Sequence, residues 1–439
     1  MHLQIEKLVY GGDGLARVES TDGRKQTVFV PLVLPGETVE ATIVEQRPGF
    51  ARAKLDRVIS SAPQRTAPPC PYFGECGGCH YQHAAYEAQL EFKKQILRET
   101  ISRIAKIELP EITAHASPPL KYRNRTRMKV EAVNGRFALG YYSLGSHKLL
   151  AVKECPISSP LTNQAVQTVW SLSATHALPR GLSEIEFFAN AEDSELLIEF
   201  LVESDAEESA LRKFAEELRR LLPSIKGVAL LPRPRIKEES VAAPELDGSE
   251  TGSARTLVGE SSLQYRVGEF ALRVSAGSFF QTNRFLTQTL IDLVTKGSSG
   301  KRALDLYAGA GLFTLPLAKQ FERVTAVEIG SSSFRDLSAN SPRGVKCIEA
   351  TTELFLHRFN GPRPDFVVVD PPRAGLGKRV TSSLAKLAPK SIGYISCDPS
   401  TLGRDLPALI AAGYRIAKAD LVDLFPQTFH METVLRLER

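Results

Sequence analysis

From residue 286 to residue 439, short apolar runs alternate with helix-patterned segments, and this alternation limits the fold more than any other feature. Helical "RFLTQTLIDLVTK" leads into "RALDLY"; a Gly-rich turn, a helix and the runs "VTAVEI", "DFVVVD" and "SIGYIS" follow, with helical segments between them. A run such as "FVVV" carries no polar alternation, so it needs apolar cover on both faces. Strands of that kind separated by helices predict a parallel, doubly wound sheet. Ligands of such sheets bind beyond the carboxyl ends of the strands. The residues that follow each run are therefore the first candidates for chemistry.

The chain has 439 residues, too many for one hydrophobic core. Residues 1–60 alternate apolar and polar between turn signals ("GGDG", "TDGRK", "PG"), which predicts a small OB-like β-barrel. A Pro/Ser-rich joint, "SSAPQRTAPPC", precedes a Cys-rich segment and a helix over 84–104. Residues 120–285 read as mainly β, with one charged helix at 205–222. Residues 233–255 are rich in Pro, Ser and Glu and lack apolar periodicity, so they read as a flexible surface insertion. The expected division is 1–60, a central domain 61–284 and a C-terminal α/β domain 285–439. No apolar run approaches the ~18–20 residues of a membrane span, and the start lacks a secretory apolar core. A cytoplasmic protein is expected. The net charge of +5 permits a polyanionic partner without requiring one.

"ALDLYAGAGLFTLPLA" (303–318) is strand, turn and helix. Gly309 and Gly311 let the backbone turn sharply and approach a ligand at the helix N-terminus. Glu328, at the end of the next strand, is placed for ribose hydroxyls. The third glycine of the dinucleotide fingerprint is missing, which favours S-adenosylmethionine over NAD. Asp305 reads as a turn-stabilising carboxylate that can also face a ligand. Asp370, in "FVVVDPPRAGL", lies at a strand's carboxyl end, in a loop stiffened by two prolines.

Six cysteines in a large chain of this type favour metal or catalytic roles over disulfides. Cys70, Cys76 and Cys79, in "CPYFGECGGC", suit a cubane iron–sulfur cluster, with Cys155 of "VKECPI" as the fourth ligand and zinc as the rival metal. His80 and His83 read as surroundings of that site. Cys347 reads as a small buried hydrophobe. Cys397, in "ISCDPSTLGRDL", is either a buried strand-end thiol or a nucleophile at the sheet's edge. Arg404 and Asp405 read as a helix pair, with a phosphate contact as the alternative for Arg404. In "KYRNRTRMK", Lys121, Arg123, Arg125, Arg127 and Lys129 recur with period two and share one strand face. That face is either solvated and balanced by acidic partners elsewhere, or a contact strip for RNA phosphates, the reading favoured here.

Together, "CPYFGECGGC" with Cys155, "YRNR", "SFFQTN" (278–283), "LDLYAGAG", "DPPRAGL", "SCDPSTLGRDL" and "HMETVLRL" resemble the uridine-5 RNA methyltransferase family, over essentially the whole chain. The resemblance implies an N-terminal TRAM module and a Rossmann-like class I methyltransferase domain at the C-terminus. It implies S-adenosylmethionine and a [4Fe-4S] cluster as cofactors, with Cys70, Cys76, Cys79 and Cys155 as cluster ligands. Gln281, Tyr307, Gly309, Gly311, Glu328 and Asp370 would bind the methyl donor. Cys397 would be the nucleophile, Glu432 the base, and Asp370 would lie between donor and target base. His430 would tune Glu432, bind substrate or be structural. The implied substrate is RNA, ribosomal ahead of transfer RNA, and the implied protein is a cytoplasmic monomer. Competing readings are the same chemistry on transfer RNA, a cytidine C5-methyltransferase, and a non-catalytic RNA-binding or assembly factor on this fold. In this sequence Ala308 and Leu312 stand where the family's Gly-rich turn often has Cys and a polar residue.

Overall fold

The computed structural model describes residues 1–19, 25–133, 135–233 and 254–439. Nearly all of the 233–255 insertion lies outside these. Six strands between His2 and Ser60 form one sheet. Its edge strands, His2–Gln4 and Lys7–Leu8, follow one another in the chain, which brings the two edges of the sheet together, as a barrel requires. Leu3, Ile5, Ala16, Val28, Val30, Val39, Ala41 and Ala53 form a separate core inside it.

The central sheet has seven strands, in the order Leu149–Ala151, Arg136–Tyr142, Arg125–Val133, Leu182–Ala189, Leu196–Val202, Ile225–Pro232 and Arg255–Gly259. Its one parallel pair, Leu196–Val202 with Ile225–Pro232, is joined by the helix Glu208–Leu221. A second helix, Pro160–Ser173, had no counterpart in the sequence reading. Its signals are present in "SSPLTNQAVQTVWSL": Ser159 is the N-cap, accepting from Thr162 N, and Pro160 opens the first turn. Both helices bury apolar faces on the sheet through Leu161, Val166, Val169, Leu211, Phe214 and Leu218.

The C-terminal sheet has eight strands, in the order Lys346–Glu349, Phe321–Glu328, Gly300–Leu306, Phe366–Val369, Ser391–Ser396, Glu432–Glu438, Arg415–Val422 and Ile112–His115. The first five are mutually parallel, as the sequence pattern predicts. Val367 and Val369 enter one apolar core and Phe366 and Val368 the core on the other face, so the unbroken "FVVV" is explained by burial on both sides. The order of strand addition reverses at Gly300–Leu306: the next two strands in the chain lie on one side of it and Phe366–Val369 on the other. The gap between these two parallel strands is therefore the switch point where such sheets hold ligands.

The boundary expected at residue 285 is crossed. Strand Ile112–His115 completes the C-terminal sheet by pairing in parallel with Arg415–Val422. Helix Tyr86–Ala105 packs Ile101 and Ile104 against Gly403 of the helix Pro399–Ala411. It also carries a fully buried ion pair, Lys93 Nζ to Asp423 Oδ1 at 2.6 Å. Lys93 further donates to Phe425 O at 3.0 Å, and the Tyr86 hydroxyl donates to Asp423 Oδ2 at 2.9 Å. The loop before Glu432 is thereby tied to a helix more than 300 residues upstream. No helix among the described residues is long and apolar enough to cross a membrane.

Candidate active site

Cys397 follows the strand Ser391–Ser396, and Asp398 caps the next helix, its Oδ1 accepting from Ser400 N at 2.7 Å and Thr401 N at 3.1 Å. Strand Glu432–Glu438 runs antiparallel beside Ser391–Ser396, with Ser396 opposite Thr433. One step further along this register sets Cys397 against Glu432. On the other side, Val369 pairs with Tyr394 in parallel, and Asp370 is the next residue out. Three acidic groups thus meet at the carboxyl edge of the sheet.

Their electrostatics confirm the proximity. Burial pushes the Cys397 thiol up to about 12, the Glu432 and Asp370 carboxylates push in the same direction, and Arg373 opposes them. Glu432 is held well above the usual carboxylate range by burial and then by Asp370, again opposed by Arg373. Burial raises Asp370 to about 7. Asp305, wholly buried, is also raised to about 7, by burial against the hydrogen bond from Thr314, with further upward pressure from Asp370 and Glu328. Its Oδ2 accepts from the Thr314 hydroxyl, whereas Oδ1 has no partner among the described residues. A buried orphan oxygen beside a group of reluctant acids marks a place for a cationic, hydrogen-bond-donating ligand. The ammonium group of S-adenosylmethionine is of that kind, and its sulfonium adds a second positive charge, so these residues fit the donor.

The Gly-rich turn adjoins this place. Tyr307, Gly309 and Gly311 have φ of 63°, 54° and 97°, and a Cβ built on Gly309 would meet nothing within 4 Å, so the backbone there is open to a ligand. Burial raises the Tyr307 hydroxyl to about 12. Glu328 closes the turn: Oε2 accepts from Gly309 N at 2.8 Å and Oε1 from Ile329 N at 2.9 Å and Gly330 N at 2.6 Å. Gln281 is buried next to Phe280, which shares a core with Ala310, Leu312 and Phe313. Leu312 is thus part of the apolar core on which the Gln281 loop rests.

Sequence reasoning missed the residues that hold these loops. Asp336 accepts from Ser275 N at 2.7 Å and from the Ser275 and Ser278 hydroxyls at 2.6 Å each. Asn283 donates to Leu424 O at 3.1 Å and Ser117 Oγ at 2.9 Å. Asp405 does not pair with Arg404. It accepts from Leu376 N at 2.7 Å, Gly377 N at 3.2 Å and the Tyr394 hydroxyl at 2.7 Å, fixing the far end of the Asp370 loop. His430 is kept neutral, pushed down to about 3 by burial and then by Arg373, whose guanidinium lies 3.1 Å from its Nδ1.

None of the six cysteines is in a disulfide. Burial raises the thiols of Cys70, Cys76 and Cys79, and Cys155 adds to the rise in each. These four share one neighbourhood, yet among the described residues no three His, Cys, Asp or Glu are compact enough to hold a single metal ion. His80, lowered to about 4 by burial and then by Lys93, stacks edge-on against Phe429. The backbone N–H groups of His80 and Tyr81 donate to Gln427 O at 2.8 and 2.9 Å, and Gln427 sits at φ 70°. The Cys-rich segment thus braces a strained residue in the loop that leads to Glu432. Cys347 is half-buried rather than buried: it packs by Ala308, Ala326 and Leu337, and its thiol donates to the Ser341 hydroxyl at 3.3 Å.

The basic strand is corrected. Arg125 pairs with Glu186 and, at 3.1 Å, with Glu199; Arg127 pairs with Glu186 at 2.6 Å; Lys129 pairs with Glu184. The acidic partners lie on the neighbouring strands Leu182–Ala189 and Leu196–Val202, so this strip is balanced within the fold and does not form a free phosphate-binding face. Arg123 donates to Arg125 O at 2.9 Å, and Lys121, at φ 56°, precedes the strand.

The profile of the tRNA (uracil-5-)-methyltransferase family matches residues 85–439, and that of the TRAM domain residues 1–55. An uncharacterized RNA methyltransferase of Aquifex aeolicus is 32% identical over 100% of this chain and 98% of its own length. The 23S rRNA (uracil(1939)-C(5))-methyltransferase RlmD of Halomonas elongata is 32% identical over 99% of this chain and 89% of its own. Among solved structures, Pyrococcus abyssi tRNA (uracil-54, C5)-methyltransferase in complex with S-adenosyl-L-homocysteine has the same fold, with a TM-score of 0.72 at 22% identity and 100% coverage of both chains.

Proposed function

The chain belongs to the tRNA (uracil-5-)-methyltransferase family, and from that premise we propose that it methylates C5 of a uridine in ribosomal RNA through a covalent bond from Cys397. It is an RNA (uracil-C5-)-methyltransferase with an N-terminal TRAM domain, and its methyl donor is S-adenosylmethionine. The choice of ribosomal RNA rests on relatives named as 23S rRNA enzymes at 32% identity over nearly the full chain.

The observation that carries the mechanism is the register that sets Glu432 opposite Cys397, with Asp370 on the adjacent strand. Uracil C5 is a weak nucleophile. Cys397 loses its thiol proton to solvent, the thiolate Sγ bonds to C6 of the ring, and the displaced C5–C6 electron pair gives C5 carbanion character. When bound, S-adenosylmethionine supplies an electrophilic methyl group on a cationic sulfur. Asp305 Oδ1, Gly309, Gly311, Glu328 and Gln281 orient that donor, and Asp370 lies between it and the uracil. Glu432 then removes the proton from methylated C5. The C5–C6 double bond re-forms, the C6–S bond breaks and Cys397 is returned. A base must leave its stack to enter this cleft, and Phe279, 65% exposed beside Gln281, offers a face for stacking.

The reading includes a [4Fe-4S] cluster on Cys70, Cys76, Cys79 and Cys155. Its support is the shared neighbourhood of the four thiols, in which Cys155 acts on each of Cys70, Cys76 and Cys79. When bound, such a cluster would crosslink the Cys-rich segment to the Cys155 loop. Protein purified without oxygen is expected to contain iron and inorganic sulfide in equal amounts; zinc in their place would overturn the cluster.

Mass-spectrometric mapping of 5-methyluridine in RNA from a strain lacking the gene tests the substrate. Loss of one or more 5-methyluridines from 23S ribosomal RNA is expected. Loss confined to transfer RNA would refute the ribosomal assignment, and unchanged RNA would refute the activity.

A further inference from the structure

We propose that Tyr10 of the N-terminal barrel is a positioning residue for the nucleophile. The inference rests on the reading of Cys397 as nucleophile. The Tyr10 hydroxyl donates to Asp398 Oδ2 at 3.2 Å and lies 3.4 Å from the carbonyl oxygen of Cys397. Its ring stands edge-on to Phe429, with centroids 5.5 Å apart, and Phe429 in turn meets His80 and His430. One side chain from the first domain therefore touches both the nucleophile's loop and the loop that leads to Glu432. Gly12, two residues on, packs so closely on His80 that an added Cβ would lie 3.1 Å from its Cβ. The barrel is thus seated on the site by more than one contact.

The hydroxyl has a definite task. Asp398 needs Oδ1 to cap the helix Pro399–Ala411, which leaves Oδ2 facing Tyr10. Groups acting on the Cys397 thiol are Glu432, Asp370 and Asp398, which oppose ionisation, and Arg373, which favours it. Those acting on Tyr10 are Asp398, Arg373 and Cys397. Donation from Tyr10 binds the second oxygen of Asp398, screening its charge from the thiol, and fixes the direction in which the Cys397 backbone leaves the strand.

Tyr10→Phe keeps the ring on Phe429 and removes only the hydroxyl. Bond formation is read in single-turnover reactions with RNA carrying 5-fluorouridine, whose C5 has no proton for a base to take, so the protein–RNA adduct persists. The variant is expected to form the adduct roughly tenfold more slowly, about 1.4 kcal/mol in barrier. The midpoint of its pH–rate curve should move to higher pH, because the unscreened Asp398 disfavours the thiolate, while its thermal midpoint and donor affinity stay those of the parent. An unchanged rate and midpoint, or a slower rate with an unmoved pH midpoint, would overturn the proposal. Cys397→Ala in the same assay separates the two claims. An adduct in that variant refutes the nucleophile itself, whereas loss of adduct there with parental behaviour of Tyr10→Phe refutes only the positioning role.

Discussion

Replacing Cys397 with alanine is expected to lower 5-methyluridine formation by at least roughly a thousandfold, with binding of the methyl donor nearly unchanged. The asymmetry follows from the layout. The donor's candidate contacts come from the Gly-rich turn, Glu328, Asp305 and the Gln281 loop, and Cys397 belongs to none of these. The thiol sits two strands away from Gly300–Leu306, across Phe366–Val369. Its environment also sets the pH dependence. With burial and three carboxylates raising the thiol to about 12, the thiolate fraction, and with it the rate of bond formation, rises with pH until a cationic ligand beside the thiol lowers that value. A single-turnover methylation assay paired with a donor-binding titration checks both parts; substantial methylation by the variant would contradict the account.

The second large effect is expected from Glu432→Gln. Glutamine keeps the size and a carbonyl oxygen but cannot accept the C5 proton as a base. Steady turnover should fall by roughly 10²–10⁴-fold, while the bond from Cys397 to RNA still forms. The product of the blocked step is a methylated, covalently held RNA that survives denaturing electrophoresis. Burial is what suits this carboxylate to its task. A carboxyl held well above its ordinary range is a stronger base than an exposed one once it has given up its own proton, so it serves as base only in its ionised form. Absence of the denaturant-stable species, with turnover lost all the same, would remove Glu432 from the base role.

These two residues also show how far sequence alone reaches. The doubly wound sheet was legible because strands covered on both faces leave unbroken apolar runs, as at Phe366–Val369, and because each run ends in a residue with little reason to be there except chemistry. That pattern marked Asp370 as a candidate and left Cys397 open between a buried strand-end thiol and a nucleophile, a choice made only with the surrounding motif and the resemblance. Glu432 was named only through resemblance. Its partnership with Cys397 depends on an antiparallel register between strands separated by a helix, a strand and a loop, and no local pattern encodes that register. The basic strand went wrong for a related reason. Period-two spacing put Arg125, Arg127 and Lys129 on one face, but Glu184, Glu186 and Glu199, which neutralise them, lie 55–74 residues away, on strands whose pairing partner could not be read. Asp405 was paired with the adjacent Arg404 on proximity, whereas the fold turns its carboxylate to the backbone of Leu376 and Gly377. Tyr10 carries no sequence signal for its place beside Cys397, because the contact exists only after the barrel docks. The helix Pro160–Ser173 is the one miss whose signals, a Ser N-cap before Pro, stood in plain view.

The central claim is that Cys397 bonds to the target uracil while Glu432 waits opposite it. It is tested most directly by nuclease and protease digestion of the adduct formed with 5-fluorouridine RNA in the presence of donor, followed by mass spectrometry of the crosslinked peptide. The account predicts one nucleotide attached at Cys397, carrying an added methyl group. Attachment at another cysteine, or formation of 5-methyluridine in normal RNA with no attachment to Cys397 under the trapping conditions, would contradict it.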